Sequence, residues 1–542
     1  MSAAVTLLGP DGNPLPPRQA RRVAAIEGNK SVAYDAATWT TPETQDWRPW
    51  LASPDVENNW TRDTIVARIR DLVRNDGWAS GAITRIVDGV IGADFRPIAR
   101  PDWQALKAFG PAFDRVWADE FGNAAEALWR SWANDPARYC DAGRRFTIAQ
   151  LFRLAFRQQM VDGEALAMLA WIPDRMGPGR AAYATALQLI DSDRLSNPHL
   201  TLDTRTLRAG VEIDEYGAPT AYHIRRAHLG DWFNARDQMV WDKVPRETEF
   251  GRPIILHHYD PDRPAEHRGA GGILRPVLTR LRMLSTYDAV ELQAAVVNAI
   301  FSAYIESPYD PSLVEDALQT GAEDVQTYQA QRVEFHQARN LKLGNARIPT
   351  LFPGEKIVPV DSKRPSANYD PFQHAFLRNV ATAIGVSAEQ ISQDWSKTNY
   401  SSARAALLEA WKTMDRRRRD FATGFASPVW GGFLEEAMDR GELPLPARAP
   451  DYIEARAAYA AVRWMGPPRG WIDPVKEAQA AVIRMNAGLS TLEEEAGDQG
   501  KDWESVLAQR AIERERFEQL GLPQPAWFGP APEPTNSTDE AP

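Results

Sequence analysis

The sequence predicts an α+β protein with several compact units, in which a mixed first half precedes a mainly helical second half. Apolar residues recur at helical spacing over long stretches. Residues 165–172 and 183–190 instead form short apolar runs bounded by Gly and Pro, as buried strands do. The length of 542 residues corresponds to three or four domains at roughly 150 residues each.

The first half is predicted to start with two helices and to continue with strands. Ile65, Ile69 and Leu72 recur at helical spacing, and Asp76-Gly77 separates this helix from a second one that ends near Val90. A further amphipathic helix is predicted over 146–160. Alternating residues on both sides of a turn at 216–219 predict a hairpin, and residues 253–259 predict one more strand.

The second half is predicted to contain long helices separated by one small insert. A helix from about 274 to 301 would be near 40 Å long at 1.5 Å per residue. Residues 305–367 predict a small α/β insert with turns at 344–345 and 353–354. Phe372, Phe376, Val380 and Ile384 step by four residues, which predicts a helix that ends at Gly385. A polar loop over 386–399, another helix and a mostly helical region from 428 to 520 follow.

Composition and charge exclude several classes of protein. A chain that is 44% hydrophobic and 25% charged is neither collagen-like nor wholly disordered. The net charge of -11 makes the surface repel nucleic acid on average, so any contact with DNA must be loose or local. The single cysteine, Cys140, permits no intrachain disulfide and fits a reducing cytoplasm. Residues 1–22 lack the features of a signal peptide, and the longest apolar stretch, near Ala294 to Ile305, is too short for a membrane span.

Two groups of residues are candidates for enzyme sites. The segment 257–267 supplies metal-ligand types, but adjacent histidines point to opposite faces of a strand, and no helix-borne HExxH pair accompanies them. Structural or interface histidines are therefore favoured over a metal site; the residues concerned are His257, His258, Asp260, Asp262, Glu266 and His267. Ordinary turn residues are likewise favoured over a carboxylate set for Asp162, Glu164, Asp191 and Asp193.

Other motifs with known chemistry fail on spacing. The run Gly269 to Gly272 has Leu274 where a dinucleotide-binding turn needs its third glycine. Gly497 to Lys501 lacks the spacer and the Ser or Thr of a phosphate-binding loop, and no GxSxG occurs. Four consecutive arginines, Arg416, Arg417, Arg418 and Arg419, point around most of a helix. Because acidic residues flank them, salt-bridged or solvated packing is favoured over phosphate contact or a charged subunit seam.

Five blocks of sequence, in order along the chain, carry a family resemblance. They are ARIRDLVRNDGWASGAITRIVDGVIG; MVDGEALAML with LQLIDSDRL; RPAEHRGAGGILRPVLTRLRMLSTYDAVELQAA; PGEKIVPVDSKRPSANYDPFQHAFLRNVATAIGVSAEQISQDWSKTNYSSARAALLEAW; and WIDPVKEAQAAVIRMNAGLSTLEEEAGDQGKDWESV. Together these blocks resemble the lambda-type family of tailed-bacteriophage portal proteins, and the fourth is the most specific.

The resemblance implies a ring, usually a dodecamer, at one vertex of the phage head, with a channel through which double-stranded DNA enters and later leaves. It implies no active site, no metal and no cofactor. The implied partners are further copies of the chain, the terminase large subunit, head-to-tail adaptors, and the major capsid and scaffold proteins, with no membrane. The implied location is the virion, after assembly in the host cytoplasm.

The family's fold also implies a division of the chain. A mobile arm at 1–40 would precede an α/β wing at 41–268, a stem helix at 269–302, a clip at 303–367 that meets terminase and adaptors, a second stem helix at 368–385, a tunnel loop at 386–400, a kinked helix at 401–427, a helical crown at 428–520 and a proline-rich tail at 521–542.

The tunnel loop would face the DNA. We expect Gln393, Ser396, Lys397 and Asn399 to touch the duplex backbone, whereas Asp394 would prevent a tight basic collar. An ordinary solvated loop is the alternative at these positions.

Two other functions stay open from the sequence alone. One is a metal-dependent hydrolase that uses His257, Asp260 and His267. The other is a head-completion adaptor ring, although adaptors are usually much shorter.

Overall fold

The computed structural model describes residues 13, 35–38, 41–300, 303–306, 327, 330–331, 333–335, 341–343, 346–348, 356–359, 369–469 and 473–523. Most of the predicted arm at 1–40, clip at 303–367 and tail at 521–542 therefore lies outside the described residues. Two compact units are distinguished, Met1–Glu57 and Asn58–Pro542. In the first unit, a 3-10 turn spans Asp35–Ala37, and Trp47 and Trp50 are exposed.

Helices and strands occur together in the described residues, which confirms the α+β class. The α-helices are α1 (Pro54–Asn75), α2 (Gly77–Val90), α3 (Trp103–Leu106), α4 (Arg115–Ala133), α5 (Ile148–Asp162), α6 (Leu278–Ile300), α7 (Tyr369–Ile384), α8 (Ala388–Ser392), α9 (Tyr400–Phe421), α10 (Ser427–Asp439), α11 (Arg456–Tyr459), α12 (Pro474–Asn486), α13 (Leu492–Asp498) and α14 (Trp503–Leu520). Among the described residues, no helix combines the length and apolar character that a bilayer crossing requires.

All paired strands in the described residues run antiparallel. The strands are β1 (Arg96–Ala99), β2 (Glu164–Trp171), β3 (Thr185–Ile190), β4 (Leu207–Arg208), β5 (Val211–Ile213), β6 (Pro219–Arg225), β7 (Trp241–Pro245), β8 (Ile255–Tyr259), β9 (Ala303–Glu306), β10 (Leu341–Leu343), β11 (Ala346–Ile348), β12 (Lys356–Pro359) and β13 (Val462–Met465). They form sheets in the orders β3-β2-β8, β4-β5-β6-β7, β1-β13, β10-β11 and β12-β9. The predicted strands in the first half and the hairpin β5-β6 are thereby confirmed.

The break between the first two helices lies where the sequence predicts it. The Asp76 carboxylate accepts a hydrogen bond from the Ala79 amide at 2.8 Å and so caps α2. The buried face of α2 carries Ile83, Ile86 and Val90, which are spaced by three and four residues. The entry to the larger unit is therefore a pair of consecutive helices.

One aromatic core joins parts of the chain that are far apart in sequence. Trp132 of α4 stacks on Phe433 of α10 with ring centroids 4.9 Å apart, and Trp129 lies 5.3 Å from Trp430. β1 pairs with β13, with Arg96 opposite Met465. Residues before and after position 428, where the predicted crown starts, therefore share one hydrophobic core.

Helices α6 and α7 lie where the sequence predicts a long helix over about 274–301 and a second helix that ends at Gly385. Leu281 and Leu284 of α6 are buried, and the Tyr369 hydroxyl of α7 donates to Asp288 of α6 at 2.8 Å. Gly385 has a φ of +82°, so it ends α7 in the left-handed conformation that glycine adopts without a steric penalty. The predicted end of this helix is confirmed.

The segment 386–399 is not wholly a loop, which corrects the sequence prediction. Helix α8 lies within it, capped reciprocally by Ser387 and Gln390, and its Ala388 and Ile391 are buried. The helix has only five residues, too few for a helical period to be visible in the sequence. The loop proper is reduced to residues 393–399.

Helices α9 and α10 are joined by a π turn over Ala422–Ala426. Pro428 explains the irregularity, because a proline inside a helix cannot donate to the carbonyl four residues earlier and clashes with it. The carbonyl four residues before Pro428 belongs to Gly424. A β-carbon on Gly424 would lie 2.2 Å from Nδ1 of His258, so the histidine packs where a larger residue would clash. The irregular helix is therefore determined by Pro428 and fits against His258.

Candidate functional site

The loop 393–399 holds the five residues that the resemblance places in a tunnel loop, four to touch DNA and Asp394 to prevent a tight basic collar. Gln393 has a φ of +56° and ends α8, and its side chain is exposed. The Asp394 carboxylate accepts from the Ser396 amide at 3.0 Å, and the Asn399 side chain accepts from the Ser402 amide at 2.9 Å, which caps α9. Asp394 and Asn399 thus shape the loop, while Gln393, Ser396 and Asn399 are exposed on it.

Lys397, the remaining residue of the five, is paired with a carboxylate on α7. Its Nζ lies 2.5 Å from Oδ2 of Asp370, and the two side chains are 65% and 57% exposed. The other oxygen of Asp370 lies 3.2 Å from Nε2 of His374, one helical turn further along α7. The hydrogen bond from Lys397 holds the pKa of Asp370 below its ordinary value. Sequence reasoning did not find Asp370, because the two residues are 27 positions apart.

Residues of this loop line two cavities. One, of about 370 Å³, is lined by Asp370, His374, Arg378, Glu389, Asp394 and Lys397, which carry charges of both signs. The other, of about 1030 Å³, is lined by loop residues Gln393 and Trp395 and by parts of α9, α12 and α13. The hydrogen bond from Ser396 lowers the pKa of Asp394, as the hydrogen bond from Lys397 lowers that of Asp370. Both carboxylates, which line the smaller cavity, are therefore ionised at neutral pH.

The four arginines of α9 have different surroundings. Arg416 is half-exposed and pairs with Asp420 at 3.0 Å, and Arg419 is exposed and pairs with Asp415 at 2.8 Å. Both pairs join residues four apart on one helix, the spacing at which side chains meet. The favoured prediction of salt-bridged packing is confirmed for these two.

The other two arginines point into the protein. Arg418 donates to the carbonyls of Gly89 and Val90, each at 2.9 Å, and so places a positive charge at the C-terminus of α2. Burial, with the charge of Arg416 beside it, lowers the pKa of Arg417 to about 10. The run of four arginines therefore gives no continuous basic stripe.

The three histidines of segment 257–267 point to separate places. Nε2 of His257 lies 2.9 Å from Glu164, in the interior, whereas Nε2 of His267 lies 3.2 Å from the carbonyl of Gly217. His258 packs against the π turn, and burial lowers its pKa to about 4. Burial also lowers the pKa of His257, so both adjacent histidines are neutral at pH 7.

The acidic residues of segment 257–267 likewise contact different partners and do not converge on one point. Asp260 is exposed and lies 3.7 Å from Arg416, and Asp262 contacts Arg275. Glu266 accepts from the Asp262 amide at 2.9 Å. The hydrolase hypothesis, which requires these side chains to converge on one ion, is not supported.

A buried ionic cluster centred on Glu164 is the site that sequence reasoning missed: Glu164 starts β2 and is fully buried, so the expectation of an ordinary turn residue was wrong for it. Glu164 is fully buried and accepts from Arg62 of α1 at 2.6 Å and from Nε of Arg268 at 2.9 Å, in addition to its contact with His257. The Gly269 amide donates to it at 3.0 Å. Burial alone would raise the pKa of Glu164, but Arg268 and Arg62 hold it well below its ordinary value.

Glycines allow the backbone of this region to approach itself closely. A β-carbon at Gly163 would lie 2.4 Å from the carbonyl oxygen of Gly271, and one at Gly272 would lie 2.1 Å from that of Val161. The glycine run that failed as a dinucleotide turn therefore holds the segment before α6 against the end of α5. The cluster and the glycines join α1, β2, β8 and the start of α6.

Three of the four candidate catalytic carboxylates form ion pairs with one arginine. Arg70 donates to Asp162 at 2.6 Å and to Asp191 at 2.5 Å, and lies 3.5 Å from Asp193. Asp191, Asp193 and His228 form a group in which one potential metal-ligand atom of each residue lies within 4.8 Å of the others. Because Arg70 already contacts both acids, this group resembles a structural ion network more than a cation site.

Comparison with known proteins agrees with the sequence blocks. Residues 40–418 match the family model described as phage portal protein, lambda family. Portal protein B of Escherichia phage lambda is 31% identical over 534 residues, which cover 97% of this chain and 95% of that protein. The portal protein of Escherichia phage N15 is 32% identical over 494 residues, which cover 90% of each chain.

Solved structures give a weaker similarity. The neck of an empty GTA particle matches with a TM-score of 0.36 and 17% identity, and covers 75% of this chain and 95% of that one. The virion of a native gene transfer agent particle matches with a TM-score of 0.35. These scores are too low to support an argument about the fold.

Proposed function

The chain belongs to the lambda family of phage portal proteins, and from this premise we propose that it forms a ring, usually of twelve copies, with a central channel for double-stranded DNA. The observation that carries the proposal is the extent of the similarity. The chain and lambda portal protein B match over nearly their full lengths, so each part of the relative has a counterpart here.

Exposed apolar side chains on two helices support assembly from several copies. Helix α6 is about 35 Å long at 1.5 Å per residue and leaves Met283 and Val290, seven residues apart, exposed on one face. Helix α12 has no buried residue and exposes Val482 and Ile483. Exposed apolar side chains of this kind are typical of protein interfaces, and head-to-tail contacts between identical chains close into a ring when the rotation between neighbours divides a full turn.

The charge of the chain and the composition of the loop support the passage of DNA without tight binding. Each copy carries a net charge of -11, and the loop 393–399 contains one acid and one base. A channel that DNA must traverse needs weak, unspecific contacts, because each lysine that neutralises a phosphate adds affinity. We propose that the loop lines the channel and that Gln393, Ser396, Lys397 and Asn399 face the duplex backbone.

The family assigns further partners, which belong to the same proposal. The segment 303–367 would meet the terminase large subunit during packaging and the head-to-tail adaptors afterwards. The rest of the ring would contact the major capsid and scaffold proteins at one vertex of the virion, after assembly in the host cytoplasm. We infer a structural role without a chemical reaction, because the candidate catalytic residues of segment 257–267 are engaged in separate contacts.

The ring is tested by measuring the mass of the purified protein by light scattering and by negative-stain imaging of the same peak. We expect a mass near twelve times 60.5 kDa and particles with a central hole. A stable monomer or dimer at micromolar concentration would contradict the proposal.

A further inference from the structure

We propose that Asp370 regulates the contact between the channel loop and DNA, by holding Lys397 away from the phosphates until a duplex displaces it. This inference rests on the proposed function, in which the loop 393–399 lines the channel. Lys397 is the only cation among these seven residues, so its partner decides whether the loop presents any positive charge. In the structure that partner is Asp370 on α7, at 2.5 Å.

The position of Asp370 suits this role. It lies in the first turn of α7, where unpaired backbone amides favour a negative charge. His374, one turn further along, lies 3.2 Å from its second oxygen and orients the carboxylate independently of Lys397. Asp370 therefore stays ionised and in place whether or not the lysine is bound to it.

The pair is also weak enough to exchange. Both side chains are more than half exposed, and exposed ion pairs are strongly screened by water and salt. A duplex in the channel presents a dense row of phosphates, which compete with a single carboxylate for the same ammonium group. Lys397 can thus move between Asp370 and DNA, so that the loop is neutral when no duplex is near and makes only brief contacts when one passes.

Other charges around the pair do not replace Asp370. The cavity of about 370 Å³ also contains Glu389 and Asp394 as acids and Arg378 as a further base. Asp394 is held by the Ser396 amide, and Arg378 donates to the carbonyl of His374. Removal of Asp370 should therefore leave Lys397 free to meet a phosphate.

The test measures the affinity of rings for linear duplex DNA as a function of salt. Each additional lysine–phosphate contact steepens the slope of log affinity against log salt by about 0.9, or about 3.5-fold over a fourfold rise in salt. We expect Asp370→Asn to bind more tightly at low salt and to steepen the slope by at least one such contact. The double variant D370N/K397Q should lose this gain and show a slope no steeper than that of the wild type.

The matched control is Glu409→Gln on α9. It frees Lys412 from an equally exposed pair at 2.7 Å and changes the net charge by the same amount, outside the loop. We expect no change of slope in this variant. If intact D370N rings bind like the wild type, or if E409Q has the same effect as D370N, the inference about Asp370 is wrong.

Failure of the channel proposal looks different. In that case a photo-cross-linker at position 396 would not react with duplex DNA, whatever the residue at position 370. Cross-linking at 396 with an unchanged salt slope in D370N would instead contradict only the role of Asp370. Ring mass and melting temperature, measured for each variant, identify any that fail to assemble.

Discussion

Substitution of Glu164 by Gln should destabilise the protein strongly, because it removes the negative charge at the centre of a buried ionic cluster. Glu164 is fully buried, and so are its partners Arg62 and Arg268. The variant keeps the size of the side chain but removes the charge that two buried guanidinium groups face. The neighbouring Asp63 offers a control, because it also pairs with Arg62, at 3.0 Å, but is 83% exposed.

The size of the effect follows from burial. Removal of one partner from a buried ion pair costs about 3–5 kcal/mol, because the remaining charge is left without compensation in the interior. An exposed ion pair contributes about 0–1 kcal/mol. We therefore expect Glu164→Gln to lower the free energy of unfolding by about 3 kcal/mol or more, and Asp63→Asn to lower it by less than about 1 kcal/mol.

The effect should depend on pH in a defined direction. The arginines depress the pKa of Glu164 in the folded protein below its ordinary value of 4.5. A depressed pKa contributes stability that is present above the unfolded value and is lost as pH falls through the folded value. The difference between wild type and E164Q should thus be constant at neutral pH and shrink only below about pH 4.5.

Urea unfolding followed by tryptophan fluorescence measures this difference, at equal protein concentration because assembly changes apparent stability. The stabilising role of Glu164 is refuted if E164Q unfolds within about 1 kcal/mol of the wild type at pH 7, or if D63N is as unstable as E164Q. A difference that grows as the pH falls would also refute it.

Three further predictions concern other residues. Arg418→Met should lower the melting temperature by a few degrees, because it removes the donor to two partly buried carbonyls at the end of α2, at about 1 kcal/mol each, whereas Arg419→Met should have little effect. Gly272→Ala should abolish soluble expression, because its β-carbon would lie 2.1 Å from a carbonyl oxygen, whereas Gly77→Ala, with open space around it, should express normally. His257→Ala should leave the metal content of the purified protein unchanged in elemental analysis, and bound zinc that disappears in this variant would contradict the structural role assigned to the histidine.

Local sequence patterns predict the structure correctly where the residues that determine an element lie within about one helical turn or one strand of each other. The break at Asp76-Gly77, the end of α7 at Gly385 and the hairpin β5-β6 are of this kind. Helix α8 was missed because five residues give no period, although the spacing of Ser387 and Gln390 is that of a capping box and was available as a signal.

Contacts between distant segments could not be read from the sequence. The cluster around Glu164 combines residues that are 102 and 104 positions away from it, and each of them alone resembles an ordinary charged residue. Arg418 and its carbonyl partner at Gly89 are 329 positions apart. The run of four arginines gave no indication that two would point inward, because that depends on which face of α9 meets α2.

The channel-facing role proposed for the loop 393–399 comes from the family resemblance, because its residues alone are equally typical of a solvated loop. The structure then added Asp370, the partner of Lys397, which neither the loop sequence nor the resemblance had indicated. Most chains contain a carboxylate on a helix and a lysine on a later loop, so the sequence does not indicate this pair. The distance of 2.5 Å between Asp370 and Lys397 in the structure identifies it.

The most direct test of the proposed channel is whether the loop 393–399 faces duplex DNA in the assembled ring. A photo-cross-linker attached through Ser396→Cys would react at the loop, and one attached through Tyr216→Cys, which is 88% exposed in the β5-β6 turn, serves as the control. The native Cys140 should stay unlabelled, because it is buried and burial raises its pKa to about 12. We expect cross-links to DNA from position 396 and none from position 216. Equal cross-linking from both positions, or none from position 396 in intact rings, would contradict a loop that lines the channel.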